Sequence, residues 1–351
     1  MTPVLVPLGN WTDPKKRRLL AVEAATTRDE DRLLELLEVY LFTKGRKKSA
    51  TSPETLKTYR VAVRDFLAWA WPKGAKGPRV PILKASSDDL DRWVSELLTL
   101  GGHLAENAGP LAPTTVQTYL SGVRAFYRAL AWAGAAEVPE DVHAPADPTP
   151  REERRPALPF SLYRELLRHL EGEEPEKVRD RALVRVLGEA GLRVGEAVAL
   201  EVEDYDPAER TLTVRRGKGG KRRTVPLARG VARDLERWLR LRAGLAAPGE
   251  KAVFINLKGP RGRGRRTSAD MVRRRLNRYY AELGFPRRYH GAHLLRHTAG
   301  TRFYKASGDL HLTARLLGHQ NVNTSAIYAK MDLGDLRALV ERLDEEEGEG
   351  E

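Results

Sequence analysis

Residues 293–328 read HLLRHTAGTRFYKASGDLHLTARLLGHQNVNTSAIY, and they contain the pattern His293-x-x-Arg296, then His319, then Tyr328. Arginine offers a fixed fork of donors that matches a phosphate, and imidazole transfers protons near neutral pH. A tyrosine hydroxyl beside such groups is a candidate nucleophile. The segment therefore predicts a site that binds a phosphodiester, and the expected substrate is a DNA strand.

The charge of the chain agrees with a nucleic-acid partner. The 351 residues carry a formal net charge of +13, and clustered Lys and Arg favour a polyanion because neutralised phosphates release counterions. A basic protein without such a partner is the alternative. With 41% hydrophobic and 31% charged residues the composition is that of a globular protein, and its length favours two domains.

Cysteine is absent from the chain, which excludes disulfides, a thiolate nucleophile and Cys-ligated metal sites. The first ten residues do not resemble a signal peptide, and no run of about 18 apolar residues occurs. We therefore expect a cytoplasmic, nucleoid-associated protein that does not enter a membrane. We also expect it to need no metal and no cofactor.

The first part of the chain predicts a helical DNA-binding domain over residues 28–136, after an N-terminal extension, 1–27. Apolar residues recur at helical spacing there. The four predicted helices span about 28–42, 53–71, a segment that starts from a cap at Ser86 or Ser87, and 113–133.

A change in composition separates this part from the next. Prolines interrupt every periodic pattern between 137 and 159, which predicts an interdomain linker. Residues 160–343 then mix helical patterns with two β-prone runs that flank Gly217-Lys218-Gly219-Gly220. This arrangement predicts a β-hairpin with Lys218 at its tip. The acidic end, 344–351, is expected to be disordered.

Upstream residues offer the groups that the opening segment lacks. Arg193 lies in Gly191-Leu192-Arg193-Val194-Gly195-Glu196, where the glycines suggest a turn that aims the guanidinium inward, and Glu196 could bind it or a nearby imidazole. Lys218 could protonate a leaving oxygen. Taken singly, each has a commoner interpretation: a capping arginine, a turn lysine or a core histidine. Other tyrosines in this half also compete with Tyr328.

Taken in order, these motifs resemble the tyrosine recombinase (phage integrase) family, and within it the Xer-type recombinases. The resemblance rests on Gly191-Leu192-Arg193-x-x-Glu196, Gly217-Lys218-Gly219-x-Lys221, His293-x-x-Arg296-His297, Leu317-Gly318-His319 and Ile327-Tyr328. More weakly, residues 52–59 and 114–119 resemble helix starts of the family's core-binding domain. The implied fold is mainly α with a small β-sheet: an N-terminal four-helix (SAM-like) core-binding domain followed by an α+β catalytic domain.

The resemblance also implies a role for each matching residue. Arg193 and Arg296 would bind the non-bridging oxygens of the scissile phosphate, and Glu196 would support them. His293 and His319 would assist through hydrogen bonds and proton transfer. Lys218 would protonate the 5′-oxygen, and Tyr328 would form a 3′-phosphotyrosyl link that a partner strand reverses without metal or ATP. Four protomers, identical or with a second recombinase, would exchange strands between two DNA sites through a Holliday junction.

The remaining expectations concern DNA contacts and alternatives. The candidate phosphate ligands are Lys57, Arg60, Arg64, Arg124, Arg273, Arg274, Arg275, Arg278, Arg287 and Arg288. The apolar stripe within 333–343 would dock on a neighbouring protomer or pack within its own chain. The basic loop 258–266 is longer than expected for a Xer-type protein, and it would either contact the DNA backbone or have no role. A nicking-closing topoisomerase or a DNA-binding protein without catalysis are the alternative functions.

Overall fold

The computed structural model describes residues 11–45, 51–104, 109–147, 157–215, 222–259 and 262–318. The chain divides into two compact units, Met1–Pro148 and Thr149–Glu351, and each has its own hydrophobic core. The predicted fold class is confirmed, since the described part is mostly helical with one three-stranded sheet. The expected tip of the hairpin, the apolar stripe within 333–343 and the acidic end lie outside the described residues.

The first unit consists of α-helices. They are α1 Pro14–Thr27, α2 Glu30–Thr43, α3 Pro53–Ala70, α4 Ser87–Thr99 and α5 Pro113–Trp132. The last four match the four predicted helices within a few residues at every end that the sequence predicts. Their starts follow from local chemistry: the Ser86 side chain accepts the backbone N–H of Asp89, and the Asp89 carboxylate accepts that of Ser86.

The first helix adds to the four that the sequence predicts. Residues 14–27 fall in the segment assigned as an N-terminal extension, yet Ala21 and Ala24 of α1 are fully buried in the core of the first unit. The Arg17 guanidinium lies 3.8 Å from the ring centroid of Trp132 on α5. Helix α1 is thus an integral part of this unit.

The core of the first unit is centred on the contact between α3 and α5. A Cβ atom at Gly122 would lie 2.9 Å from the Cβ of Ala62, so glycine allows the two helices to approach closely. Phe66 packs edge-to-face against Trp93 and Tyr127, with ring centroids 5.4 and 5.9 Å apart. Aromatic pairs of this geometry each add about 0.5–1.5 kcal/mol beyond the burial of their area.

A buried polar network ties the segment after α4 to this core. Asp65 is fully buried, and its carboxylate accepts the Trp93 indole N–H at 3.3 Å and the His103 backbone N–H at 2.7 Å. The His103 ring lies between two carboxylates, 3.1 Å from Asp65 and 3.2 Å from Glu96, and Arg79 also pairs with Glu96. Burial alone would lower the pKa of His103, but these two carboxylates raise it.

The His103 network predicts a pH-dependent stability. Because the pKa of His103 is raised on folding, its stabilising effect is complete below the unfolded value of 6.5 and is lost as pH rises through the folded value. We expect the thermal unfolding midpoint of the full chain to fall over that window. The dependence should shrink in His103→Gln, but persist in the control His143→Gln, which changes an exposed histidine of the same unit. Equal pH profiles for wild type and His103→Gln would contradict this.

The predicted linker packs at both of its described ends. Val142 is fully buried in the first core, and its carbonyl accepts a hydrogen bond from Arg124. Leu158 is 2% exposed in the second core, where its backbone N–H donates to the Thr298 hydroxyl at 3.0 Å. These two described ends of the predicted linker therefore belong to the cores of the two units.

The second unit combines seven described helices with a small sheet. The helices are α6 Phe160–His169, α7 Pro175–Gly188, α8 Val194–Ala199, α9 Arg229–Ala243, α10 Ala269–Glu282, α11 His293–Ser307 and α12 Leu310–Leu317. Helix α7 packs against both α9 and α11. Within the described ranges of both units, no helix is long and apolar enough to cross a membrane.

The sheet confirms the predicted hairpin strands. Strands β1 Tyr205–Asp206, β2 Thr211–Val214 and β3 Arg223–Pro226 are antiparallel in the order β1-β2-β3. Leu212 pairs with Val225, and both side chains are buried against the core. Because side chains alternate along a strand, Arg223, two residues before Val225, lies on the same face.

Candidate active site

The candidate site begins at the turn that leads into α8. Gly191 has a φ of +70°, and a Cβ there would lie 2.7 Å from the Cδ2 of Leu317, so both the backbone and the packing require glycine. Leu192 is fully buried, which fixes the next residue. Arg193 then stands at the N-terminus of α8, as the glycine-marked turn predicts.

Glu196 lies at the centre of a cluster of arginines. Its carboxylate accepts the Arg193 backbone N–H at 2.9 Å and the Arg193 guanidinium at 2.8 Å. Arg223 donates to both carboxylate oxygens, at 3.0 and 2.8 Å. Arg296 Nη1 lies 3.8 Å from Glu196 Oε2. Three guanidinium groups from three separate segments therefore surround one carboxylate, and this site keeps two more positive charges than negative ones.

The arginines keep the Glu196 carboxylate ionised although Glu196 is only 7% exposed. Burial alone would raise the pKa of this carboxyl, but hydrogen bonds from Arg223 and the Arg193 backbone, with the charges of both guanidinium groups, lower it to about 2. This shift of the Glu196 pKa from 4.5 corresponds to on the order of 3 kcal/mol of folding stability. The stabilisation is complete above pH 4.5 and is lost as pH falls toward 2.

Arg296 is fixed by backbone acceptors. It lies in the first turn of α11, 5% exposed, and donates to the carbonyls of Gly191 and, at 2.6 Å, Leu317. These contacts connect α11 with the turn before α8 and with the end of α12. The structure thus brings together Arg193, Glu196 and Arg296, which are far apart in the sequence.

The other predicted catalytic residues are placed less completely. His293 is the first residue of α11 and is exposed, one helical turn before Arg296. Lys218, His319 and Tyr328 lie outside the described residues. Within the described ranges, no three His, Asp or Glu side chains are grouped so that they could bind a metal ion.

Arg223 is a member of the cluster that the sequence did not predict. It begins strand β3, and its side chain is only 14% exposed. Gly318 has a φ of +66°, and a Cβ there would lie 2.8 Å from Cδ and 2.9 Å from Nε of Arg223. Arg223 therefore packs directly against the residue that precedes His319. In the sequence, the alternation of side chains along β3 indicates that Arg223 shares the buried face of the strand with Val225.

We expect Gly318→Ala to slow DNA cleavage. Alanine would adopt a strained left-handed conformation, at a cost of about 1 kcal/mol, and would also displace Arg223. Gly308→Ala is the matched control, because Gly308 has a φ of +62° with open space around its Cβ position. Both variants should lose stability in thermal unfolding because both backbones become strained, but only Gly318→Ala should lose cleavage rate. Equal rates for the two variants would contradict this account of the turn.

The candidate DNA ligands of the first unit lie on α3 and α5. Lys57 is exposed. Arg60 and Arg64 form ion pairs with Glu38 and Glu30, each at 2.6 Å, and both side chains remain over 40% exposed. Both guanidinium groups are therefore partly open to solvent beside their acidic partners. Arg124 instead donates a hydrogen bond to the carbonyl of Val142 and supports the packing of the segment after α5.

The candidates of the second unit divide by exposure. Arg273, Arg274, Arg278, Arg287 and Arg288 are exposed.

Arg275 differs, because its side chain is 15% exposed and lies 3.5 Å from the buried Asp180. Burial lowers the pKa of Arg275, against the charge of Asp180. The Asp180 carboxylate also binds Arg179 at 2.7 Å and accepts the Tyr279 hydroxyl at 2.7 Å. Arg275 therefore belongs to a buried ionic cluster, and we leave it out of the proposed DNA contacts.

Comparisons with known proteins agree with this architecture. The model of the phage integrase family matches residues 157–333, and that of the phage integrase N-terminal SAM-like domain matches residues 42–134. Tyrosine recombinase XerC of Chromobacterium violaceum is 31% identical over 287 residues, which cover 81% of this chain and 87% of that protein. XerC of Vibrio parahaemolyticus is 32% identical over 249 residues, 70% of this chain and 74% of that protein.

Solved structures share the fold. XerH site-specific recombinase bound to difH substrate, a pre-cleavage complex, aligns with a TM-score of 0.63 at 21% identity and covers 95% of this chain and 97% of that one. The Tn1549 transposon integrase in complex with a circular intermediate DNA aligns with a TM-score of 0.65 at 18% identity, over 88% and 99% of the two chains. At these identities the likeness supports the fold, while the family models and the XerC relatives support the class. This chain therefore belongs to the phage integrase family and is a tyrosine recombinase of the XerC type.

Proposed function

We propose that this protein is a site-specific DNA strand transferase that works through a 3′-phosphotyrosyl intermediate. The observation that carries the proposal is the cluster of Arg193, Arg296 and Glu196, in which a buried carboxylate orders guanidinium groups whose combined charge stays positive. Such a cluster suits the charge that develops on a phosphodiester under attack.

The proposed cleavage step transfers the phosphoryl group from the 5′-oxygen of the DNA to Tyr328. The Tyr328 oxygen attacks phosphorus, and its proton passes to a histidine, for which His293 and His319 are the candidates. Arg193 and Arg296 donate to the non-bridging oxygens. The bond from phosphorus to the 5′-oxygen breaks, and Lys218 gives that oxygen a proton. A free 5′-hydroxyl and a 3′-phosphotyrosyl end result.

The second half of the reaction is the same step in reverse. The phosphotyrosyl bond replaces one phosphate ester by another, so little free energy is lost and no ATP is needed. A 5′-hydroxyl from a partner strand attacks phosphorus and restores Tyr328. Exchange of strands between two duplexes then gives a Holliday junction. We propose four protomers on two DNA sites for this purpose, either identical or shared with a second recombinase.

Cations of both units supply the proposed contacts to the DNA backbone. In the first unit they are the exposed Lys57 and the half-buried Arg60 and Arg64, and in the second they are the exposed Arg273, Arg274, Arg278, Arg287 and Arg288. Contacts of this kind bind phosphates without reading the base sequence, so affinity should fall steeply as salt rises.

Covalent trapping from a DNA pool tests the proposal and identifies the target at the same time. The full chain is incubated, in EDTA, with nicked duplexes of randomised sequence, from which a short cleaved fragment diffuses away. We expect adducts that survive denaturation, with one sequence enriched among the attached ends. A wild-type protein that gives no adduct from the pool, or that cuts only with added metal, would overturn the proposal.

The enriched sequence then separates recombination from a nicking-closing topoisomerase. We expect two labelled duplexes that carry this sequence to yield a four-way junction and recombinant products, in a complex with the mass of four protomers. Relaxation of a supercoiled plasmid by a monomer, without junctions at any protein concentration, would instead assign the chain to the topoisomerase reaction.

A further inference from the structure

Arg223 makes a bidentate ion pair within the arginine cluster, and the proposed mechanism gives it no task. Both of its terminal nitrogens donate to Glu196, and its exposure of 14% leaves it mostly removed from water. Its contact with Glu196 is also the first of the interactions that lower the pKa of that carboxyl. Arg223 is thus the main counter-ion of Glu196.

The geometry divides the three arginines by their relation to this carboxylate. Arg193 shares one carboxylate oxygen through a single guanidinium nitrogen, and Arg296 lies 3.8 Å away with its terminal nitrogens on the carbonyls of Gly191 and Leu317. The Arg223 guanidinium donates to both oxygens, one through each terminal nitrogen. A bidentate pair of this kind is the strongest contact that a carboxylate forms with a side chain.

The charge of the cluster shows what this pairing does. A phosphodiester carries one negative charge, and attack by a tyrosine oxyanion adds a second. With Arg223 present, the three arginines exceed Glu196 by two positive charges, which match that total. Without Arg223 the excess is one, and the whole attraction of the buried carboxylate falls on Arg193 and Arg296. Because these groups are largely removed from water, the attraction of Glu196 for the two arginines competes strongly with that of the phosphate.

We propose that Arg223 is a positioning residue that neutralises Glu196, so that Arg193 and Arg296 keep their charge and donors for the scissile phosphate. Glu196 orders Arg193 through the backbone and side-chain contacts at 2.9 and 2.8 Å, and Arg223 prevents this ordering from costing the site its positive charge. The inference rests on the proposed cleavage reaction. In this role Arg223 acts through Glu196 and contacts neither DNA nor the nucleophile.

A double-mutant cycle tests this electrostatic role, with single-turnover cleavage of the enriched duplex as the readout. Arg223→Met removes the counter-ion with little loss of volume, and we expect its rate to fall roughly 10–100-fold while the Kd for DNA changes less than about threefold. Adding Glu196→Gln restores an excess of two positive charges. The double variant should therefore cleave several-fold faster than Arg223→Met, and Glu196→Gln alone completes the cycle.

The matched control is Arg181→Met. The Arg181 side chain is also 14% exposed and pairs with a buried carboxylate, Asp234 at 3.0 Å, so it reports the cost of losing a buried arginine elsewhere in the unit. We expect its rate to stay near that of wild type. If Arg223→Met does not fold, Arg223→Lys keeps the charge and should retain a rate within about tenfold of wild type.

Several results would overturn the inference while leaving the proposed function intact. These are a wild-type rate in Arg223→Met, a loss explained wholly by weaker DNA binding, or a double variant as slow as Arg223→Met. The last result would mean that Arg223 only supports packing, for example beneath Gly318. Failure of the wild-type protein to form any adduct would instead remove the proposed function itself.

Discussion

Replacement of Tyr328 by phenylalanine is expected to abolish the covalent protein–DNA complex. The change removes one oxygen and leaves the ring, so the variant should fold and bind DNA as wild type does. Without the hydroxyl no phosphotyrosyl bond can form, and rescue by a neighbouring group is not expected because the attacking atom must lie in line with the leaving oxygen. Denaturing electrophoresis of the trapped complex measures the effect.

Tyr304→Phe is the matched control for this experiment. Tyr304 lies on α11 in the same unit and is half-buried. It is not part of any of the motifs that resemble the family. We expect the control to form the complex at the wild-type rate. A complex that persists in Tyr328→Phe and disappears in Tyr304→Phe would reverse the assignment of the nucleophile.

The second large effect is expected for Arg296→Lys. Lysine keeps the charge but carries its three donors on one nitrogen, so it cannot reproduce the contacts of two separate guanidinium nitrogens with the carbonyls of Gly191 and Leu317 while it binds a phosphate oxygen. Loss of one preorganised donor to a developing oxyanion costs roughly 10²–10³-fold in rate, and we expect a loss of at least this size in single-turnover cleavage. DNA binding should weaken far less, because many other cations contact the backbone.

Arg302→Lys provides the control on the same helix. The Arg302 side chain is 44% exposed, and its contact with Glu189 is long, at 4.0 Å. Its cleavage rate should be unchanged. Thermal unfolding of both variants separates an effect on the site from a loss of fold, since Arg296 is buried. A cleavage rate of Arg296→Lys within about threefold of wild type would exclude the proposed phosphate contact.

The sequence predicted most of the helices because their signals are local. The pattern over residues 113–133 predicts a helix, and α5 spans Pro113–Trp132. Helix α1 is not predicted, because its apolar residues form no clear stripe along one face of a helix. Asp13, whose side chain caps the helix, followed by Pro14 at its first turn, is a start signal that could have located it.

The candidate site was predictable where its residues form ordered motifs. Arg193, Glu196 and Arg296 lie together as the motifs imply, whereas Arg223 could be recognised only once β3 had been placed beside α8. Arg275 shows the reverse case. It stands three residues after Val272 and four before Tyr279, both buried, so helical periodicity places it on the core face of α10. Its place among the candidate phosphate ligands rests on its residue type and not on its position on the helix.

Peptide mapping of the trapped adduct tests the central claim most directly. The wild-type chain is trapped on the enriched duplex in EDTA, digested with protease and nuclease, and analysed by tandem mass spectrometry. We expect one modified peptide, with a nucleotide joined through its 3′-phosphate to Tyr328, and a free 5′-hydroxyl on the released strand. A nucleotide on another residue, or a link through a 5′-phosphate, would contradict the account.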